Sequence, residues 1–141
     1  MRMLGLDVGD KRIGVAMCDP LEMLAGTLTV IERKADGSDI KAICELINQY
    51  SVERLVIGLP RLLDGGLGTQ AEKTQAFITS LQEHTEVPVV TFDERFSTDM
   101  ARDLMRQAGH KPEQIRKKKD SAAAALILQW YLDERAAARD R

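Results

Sequence analysis

LGLDVGDKRIG, residues 4–14, sets Leu4, Leu6 and Val8 on one side of an extended chain and Gly5 and Asp7 on the other. Gly9 and Asp10 then open a turn, and RIGVAMC (12–18) resumes an apolar run. The pattern predicts a β-hairpin with Asp7 near its tip, in a strand that is otherwise buried. A carboxylate withdrawn from water costs several kcal/mol unless it is compensated. Lysine or arginine, backbone N–H groups of the glycine turn, or a metal ion could each supply that compensation. A turn-capping aspartate is the plainest alternative, and the rest of the chain decides between them.

Outward from the hairpin, LAGTLTVI (24–31) reads as a third strand and Asp36-Gly37 as a turn. Ser38 or Asp39 is expected to cap a helix whose buried face carries Ile40, Ile43, Cys44 and Ile47. Val52–Gly58 is a strand ended by Leu59-Pro60, followed by a glycine-bearing loop over 61–68. Thr69 and Glu72 form a capping box for a helix with Thr74, Phe77, Ile78 and Leu81 inward. Val87–Phe92 is a short strand whose Pro88 suggests a sheet edge. Ser97 opens a helix that Gly109 stops, Lys111–Lys119 is a basic connector, and a last helix carries Ala123, Leu126, Ile127, Trp130 and Tyr131 inward. Trp130 and Tyr131 are therefore read as core. The polar tail, Asp133–Arg141, is expected to fray.

Three strands joined by tight turns, followed by two helix–strand units, predict an α/β layer fold. The first three strands would be antiparallel. Right-handed crossovers would add the last two parallel to the first, with helices on both faces. In such sheets the site lies beyond the carboxyl ends of the strands. Asp7 and the Asp93-Glu94 pair fall at or near those ends.

The third carboxylate is Asp120, in KKKDSAAAALIL. As a local signal it reads equally as a helix N-cap. Positions 120, 123, 124, 127 and 131 share one helical face, however, which directs Asp120 toward the strand ends. Lys117, Lys118 and Lys119 just before it would oppose the helix macrodipole, a misplacement expected where phosphates must be met. Two carboxylates about 4 Å apart repel by about 4 kcal/mol at an effective dielectric of 20. A triad of Asp7, Glu94 and Asp120 therefore calls for divalent cations. All-oxygen ligands without histidine or cysteine select Mg²⁺ or Mn²⁺, and two such ions can activate a water and stabilise the leaving oxygen of a phosphodiester. Only one of Asp93 and Glu94 should reach the site, because neighbouring strand residues point to opposite faces.

At 141 residues the chain is long enough for one domain with its own core. No apolar run approaches the ~20 residues of a membrane span and no signal-peptide pattern is present, so the cytoplasm is the expected location. Cys18 and Cys44 lack metal-site spacing and read as core filler. The net charge of −2 speaks against a nucleic-acid partner. The stretch from Arg95 to Lys119 nevertheless holds a local excess of five positive charges, which fits one polyanion-facing surface. Arg95 is the best candidate to position a phosphate by bidentate hydrogen bonding, with Lys11 and Arg12 on the hairpin turn as further contacts.

LDVGDKRIG (6–14), VIGLPRLLDG (56–65), DERFST (93–98) and KKDSAAAALIL (118–128) together resemble the YqgF (RuvX-like) family of the RNase H-like superfamily, in order and over nearly the whole chain. The resemblance implies an RNase H-like mixed five-stranded sheet and a metal-dependent nuclease. It implies Asp7 as the first-strand ligand, Glu94 as the acid of the DER motif and Asp120 as the helix acid. It further implies 5′-end maturation of pre-16S rRNA on a ribosomal precursor particle, with resolution of Holliday junctions in branched DNA as the alternative. A non-catalytic nucleic-acid-binding assembly factor is the rival of another class. An actin-like phosphotransferase would need a second domain that 141 residues do not supply.

Overall fold

The computed structural model describes residues 1–60, 69–94 and 112–139; at Pro60, Thr69, 93–94, 112–121 and Arg139 the description is of the backbone. Its elements in chain order are β1 (Met3–Val8), β2 (Arg12–Cys18), β3 (Ala25–Glu32), α1 (Ser38–Tyr50), β4 (Arg54–Pro60), α2 (Thr69–Gln82), β5 (Val89–Glu94) and α3 (Pro112–Arg139). The expected helix over 97–109 and its Ser97 cap lie outside the described residues, as does the loop over 61–68.

The strands form one sheet in the order β3-β2-β1-β4-β5. β1–β2 and β2–β3 are antiparallel, whereas β1–β4 and β4–β5 are parallel. This is the expected RNase H-like topology, with β5 and its preceding Pro88 at an edge. The Pro88 carbonyl still serves the ladder, accepting from the Leu55 N–H at 2.9 Å.

Strand alternation sorts the sheet into two cores. Leu4, Leu6, Val8, Ile13, Val15, Leu55 and Ile57 pack under α1 and α2, against Ile40, Ile43, Ile47, Phe77, Ile78 and Leu81. Met3, Ala16, Cys18 and Val56 pack on the other face under α3, against Ala124, Ile127, Leu128 and Leu132. α1 and α2 follow the apolar spacing read from the sequence, whereas α3 buries Ala123, Ala124, Ile127, Leu128 and Leu132 and leaves Leu126, Trp130 and Tyr131 only partly buried, because Ala124 and Leu128 close on Gly5.

Several boundaries move. β4 runs to Pro60 and β5 to Glu94 because the two pair in register to their ends, Leu59 with Asp93 and Pro60 with Glu94. Proline lacks only the N–H, so a strand can run up to it. α1 is entered from Gly37, in the left-handed conformation at φ 84°, and neither Ser38 nor Asp39 caps it. The Asp36 carboxylate takes the Ser38 N–H, and Asp39 is drawn to Arg33 instead.

The largest difference is α3. It starts at Pro112, a residue suited to the first helical position because its missing N–H has no partner there. Lys117–Lys119 are therefore part of the helix and not a connector, and Asp120 lies well inside it and cannot be its N-cap. At the other end the helix continues to Arg139 through the expected frayed tail. Arg135 is tied there to Glu22 at 3.1 Å, and Gln129 donates to Asp133 at 3.0 Å. Ala136–Ala138 supply strong helix formers in between.

Candidate active site

Asp7 is half-buried and paired across the hairpin with Gly14. It shares its face with Gly5, where α3 approaches most closely: a Cβ on Gly5 would stand 2.8 Å from Leu128 Cβ and 2.9 Å from the Ala124 carbonyl oxygen. On the sheet Asp7 is flanked by glycine: Gly14 stands opposite it on β2, and Gly58, one step beyond the last β1–β4 pair, Leu6 with Ile57, stands on the other side.

α3 runs against β1. Its later residues meet the amino ends of the strands: Tyr131 accepts a hydrogen bond from Arg54 Nη1 at 2.9 Å, and Gln129 Oε1 accepts from the Ala25 N–H at 2.9 Å. Its earlier residues accordingly lie toward the carboxyl ends. From the Gly5–Ala124 contact, Asp7 is two residues along the strand, roughly 6–7 Å. Asp120 is four residues back along the helix, roughly 6 Å. The backbones of Asp7 and Asp120 thus come to the same end of the same layer.

Glu94 ends β5 at the same end of the sheet, two strands from β1. Position 94 has the strand parity of Val90 and Phe92, which pack with the α3 core. Position 93 has that of Val89, which packs with the opposite core. Arg95 and the other residues 96–111 lie outside the described residues.

Lys11 and Arg12 are exposed on the hairpin turn, at the carboxyl end of β1. The turn is closed by the Gly9 N–H donating to the Arg12 carbonyl at 2.8 Å. Sequence reading missed what fastens it. Arg33 Nη1 donates to the Gly9 carbonyl at 2.9 Å, Gln70 Nε2 to the Val8 carbonyl at 3.3 Å, and Lys73 Nζ to Asp10 at 3.3 Å. The close approach at Gly5 was missed too, although a small residue on the aspartate's own face was its available signal.

Among the described residues, sulfur and imidazole are not set up as ligands or nucleophiles. Cys18 is buried and Cys44 partly so; both are free thiols whose pKa burial pushes up, which disfavours the thiolate a nucleophile or metal ligand needs. His84 Nδ1, just past α2, is engaged with the Ser80 carbonyl of that helix at 2.8 Å. Trp130 stacks on Phe92 with ring centroids 6.5 Å apart, and Tyr131 packs partly buried against the α3 core.

The family model described as "RuvX: Holliday junction resolvase" matches residues 1–134. The chain belongs to the RuvX family. Curated RuvX-type relatives named "Putative pre-16S rRNA nuclease" match along nearly their whole length. The protein of Moorella thermoacetica is 47% identical over 133 residues, covering 94% of this chain and 95% of its own. That of Desulforudis audaxviator is 43% identical over 140 residues, covering 99% of both. By these names RuvX proteins are nucleases, hydrolases of phosphodiester bonds. Among solved structures, the fowlpox virus resolvase in complex with Holliday junction DNA superposes with a TM-score of 0.58 at 12% identity, over 95% of this chain and 98% of its own. Thermus thermophilus RuvC with its junction substrate gives 0.54 at 16% identity, over 96% of each. At such identities these two share the RNase H-like fold with the RuvX chain.

Proposed function

We propose that this RuvX chain is a divalent-metal-dependent nuclease that acts on structured RNA in the cytoplasm, in 5′-end maturation of pre-16S rRNA. The observation that carries the reading is the half-buried Asp7 at the carboxyl end of β1, on the layer shared with α3, in a chain 43–47% identical to the relatives named above. No described helix is long and apolar enough to cross a membrane.

The donors fit Mg²⁺ or Mn²⁺. Asp7, Glu94 and Asp120 would offer hard carboxylate oxygens, and burial disfavours the thiolates of Cys18 and Cys44 that a softer metal would need. When bound, a pair of such ions supplies an activated water and charge neutralisation at the leaving oxygen. The chain's own part is to hold three like charges on a rigid strand–helix frame, with Asp93 as the alternative to Glu94. Its cations then align the backbone: Arg95 on the scissile phosphate, and Lys11, Arg12, Lys117, Lys118 and Lys119 on flanking phosphates. Such contacts position the substrate without reading its sequence.

The family model's own description favours a second reading, cleavage of four-way DNA junctions. A side-by-side assay on a precursor rRNA end and a four-way DNA junction, with and without Mg²⁺, decides between them. Metal-dependent cleavage of the RNA is expected. Cleavage of the junction alone would transfer the activity to DNA, and binding without cleavage of either would leave an assembly factor.

A further inference from the structure

Arg33, just past β3, joins three further segments: the hairpin turn, the start of α1 and α2. Its backbone N–H donates to the Lys11 carbonyl at 2.8 Å, and its Nη1 donates to the Gly9 carbonyl at 2.9 Å. Its Nε donates to Asp39 Oδ2 at 3.2 Å, in the first turn of α1, and its guanidinium lies over the Phe77 ring of α2, 4.9 Å from the centroid. Asp39 is only 4% exposed, and it also accepts the Lys34 N–H at 3.4 Å. A buried carboxylate without its cation is costly, so the pair is held as a unit. The planar fork of arginine suits this junction, since it can bond a carboxylate and a carbonyl in fixed directions at once.

What this junction grips is the turn Gly9–Arg12, two residues beyond Asp7. Among the described residues the Lys73–Asp10 pair is a further tie on the turn, but it is exposed, and exposed pairs hold little. We infer that Arg33, set by Asp39 and Phe77, is a positioning residue: working from the opposite face of the sheet, it fixes the hairpin turn so that Lys11 and Arg12 meet the nucleic-acid backbone in one geometry. The inference rests on the proposed nuclease reading, in which those two cations contact phosphate. Arg33 itself touches no substrate in this scheme.

The test is binding of a fluorescent stem–loop RNA and of a four-way DNA junction in EDTA, by anisotropy across a potassium chloride series. The proteins are wild type, Arg33→Gln, Arg33→Lys, the paired Lys11→Gln/Arg12→Gln, and the combination of Arg33→Gln with that pair. Arg33→Gln could unfold the chain by orphaning Asp39, so Arg33→Gln/Asp39→Asn, which leaves no buried charge, is carried alongside. All are compared below their melting temperatures. The turn pair should flatten the slope of log affinity against log salt by roughly 1.4–1.8, about 0.7–0.9 per phosphate contact. Arg33→Gln should reproduce most of that loss and add nothing in the combination. Arg33→Lys should be nearly as weak as Arg33→Gln, because the charge is kept and the fork is lost. Full rescue by lysine, or additive losses in the combination, would make Arg33 a direct phosphate contact and overturn the inference. Unaltered binding by folded Arg33 variants, or by the turn pair, would overturn it as well and leave the nuclease reading standing. Failure of wild type to bind either nucleic acid would instead strike the proposed function itself.

Discussion

Asp7 is the residue on which the proposed chemistry turns. Replacing it by asparagine keeps the shape and removes one ligand charge, so cleavage should fall by roughly two orders of magnitude or more while circular dichroism is unchanged. Near-normal Mg²⁺-dependent turnover of Asp7→Asn would remove Asp7 from the site. The same substitution separates the two acids at the end of β5. Position 94 has the parity of the α3 layer and position 93 that of the opposite layer, so Glu94→Gln should cost more activity than Asp93→Asn. The reverse order would assign the ligand to Asp93. At this scale much was legible in advance, because a charged residue inside an apolar alternation is visible in sequence. Arg33 was not, since its role depends on Gly9, Asp39 and Phe77 being brought to one point.

Among the elements, α3 carries the most consequence. It lies close against β1 because Gly5 has no side chain, and Gly5→Ala would force a methyl to within about 3 Å of Leu128 Cβ and the Ala124 carbonyl. Overpacking of this kind costs roughly 1–3 kcal/mol. Because the helix backbone must shift, activity should drop further than the melting temperature alone explains. An alanine variant with full activity and unaltered stability would show that α3 has slack at this contact. The basic run has a separate expectation. Replacing Lys117, Lys118 and Lys119 by glutamine should weaken binding to RNA and DNA about equally and flatten the salt slope by roughly 0.7–0.9 per lost phosphate contact. A slope equal to wild type would mean that these lysines are only solvated.

For the whole molecule, the sheet and α3 bring the backbones of Asp7, Glu94 and Asp120 to one end of the fold, and the proposed carboxylate cluster should register in stability. A divalent ion that binds only the native state stabilises it by about 2.7 kcal/mol at a hundredfold excess over Kd. Mg²⁺ or Mn²⁺ should therefore raise the melting temperature where NaCl of equal ionic strength does not. Asp7→Asn relieves repulsion among the carboxylates, so in EDTA it should melt above wild type and then gain less from metal. Equal melting in EDTA together with equal gains from Mg²⁺ would dissolve the proposed cluster and return Asp7 to the role of a turn residue.

The sequence by itself determined the layer order, the hairpin, the edge at Pro88 and the apolar faces of α1 and α2. Each of these follows from local alternation, helical spacing or backbone chemistry, which are properties of neighbouring residues. It also singled out Asp7 and the choice between Glu94 and Asp93, because strand parity is a period of two. Tertiary structure alone decided the rest. Pro112 opens a helix that local signals had begun some eight residues later, and Arg135 meets Glu22 across 113 positions in the chain. Gly5 sets the distance of α3 from the sheet, and Arg33 fastens the turn beyond Asp7. These are contacts between segments remote in sequence, where packing and paired charge override local preference, so no window of the chain could contain them.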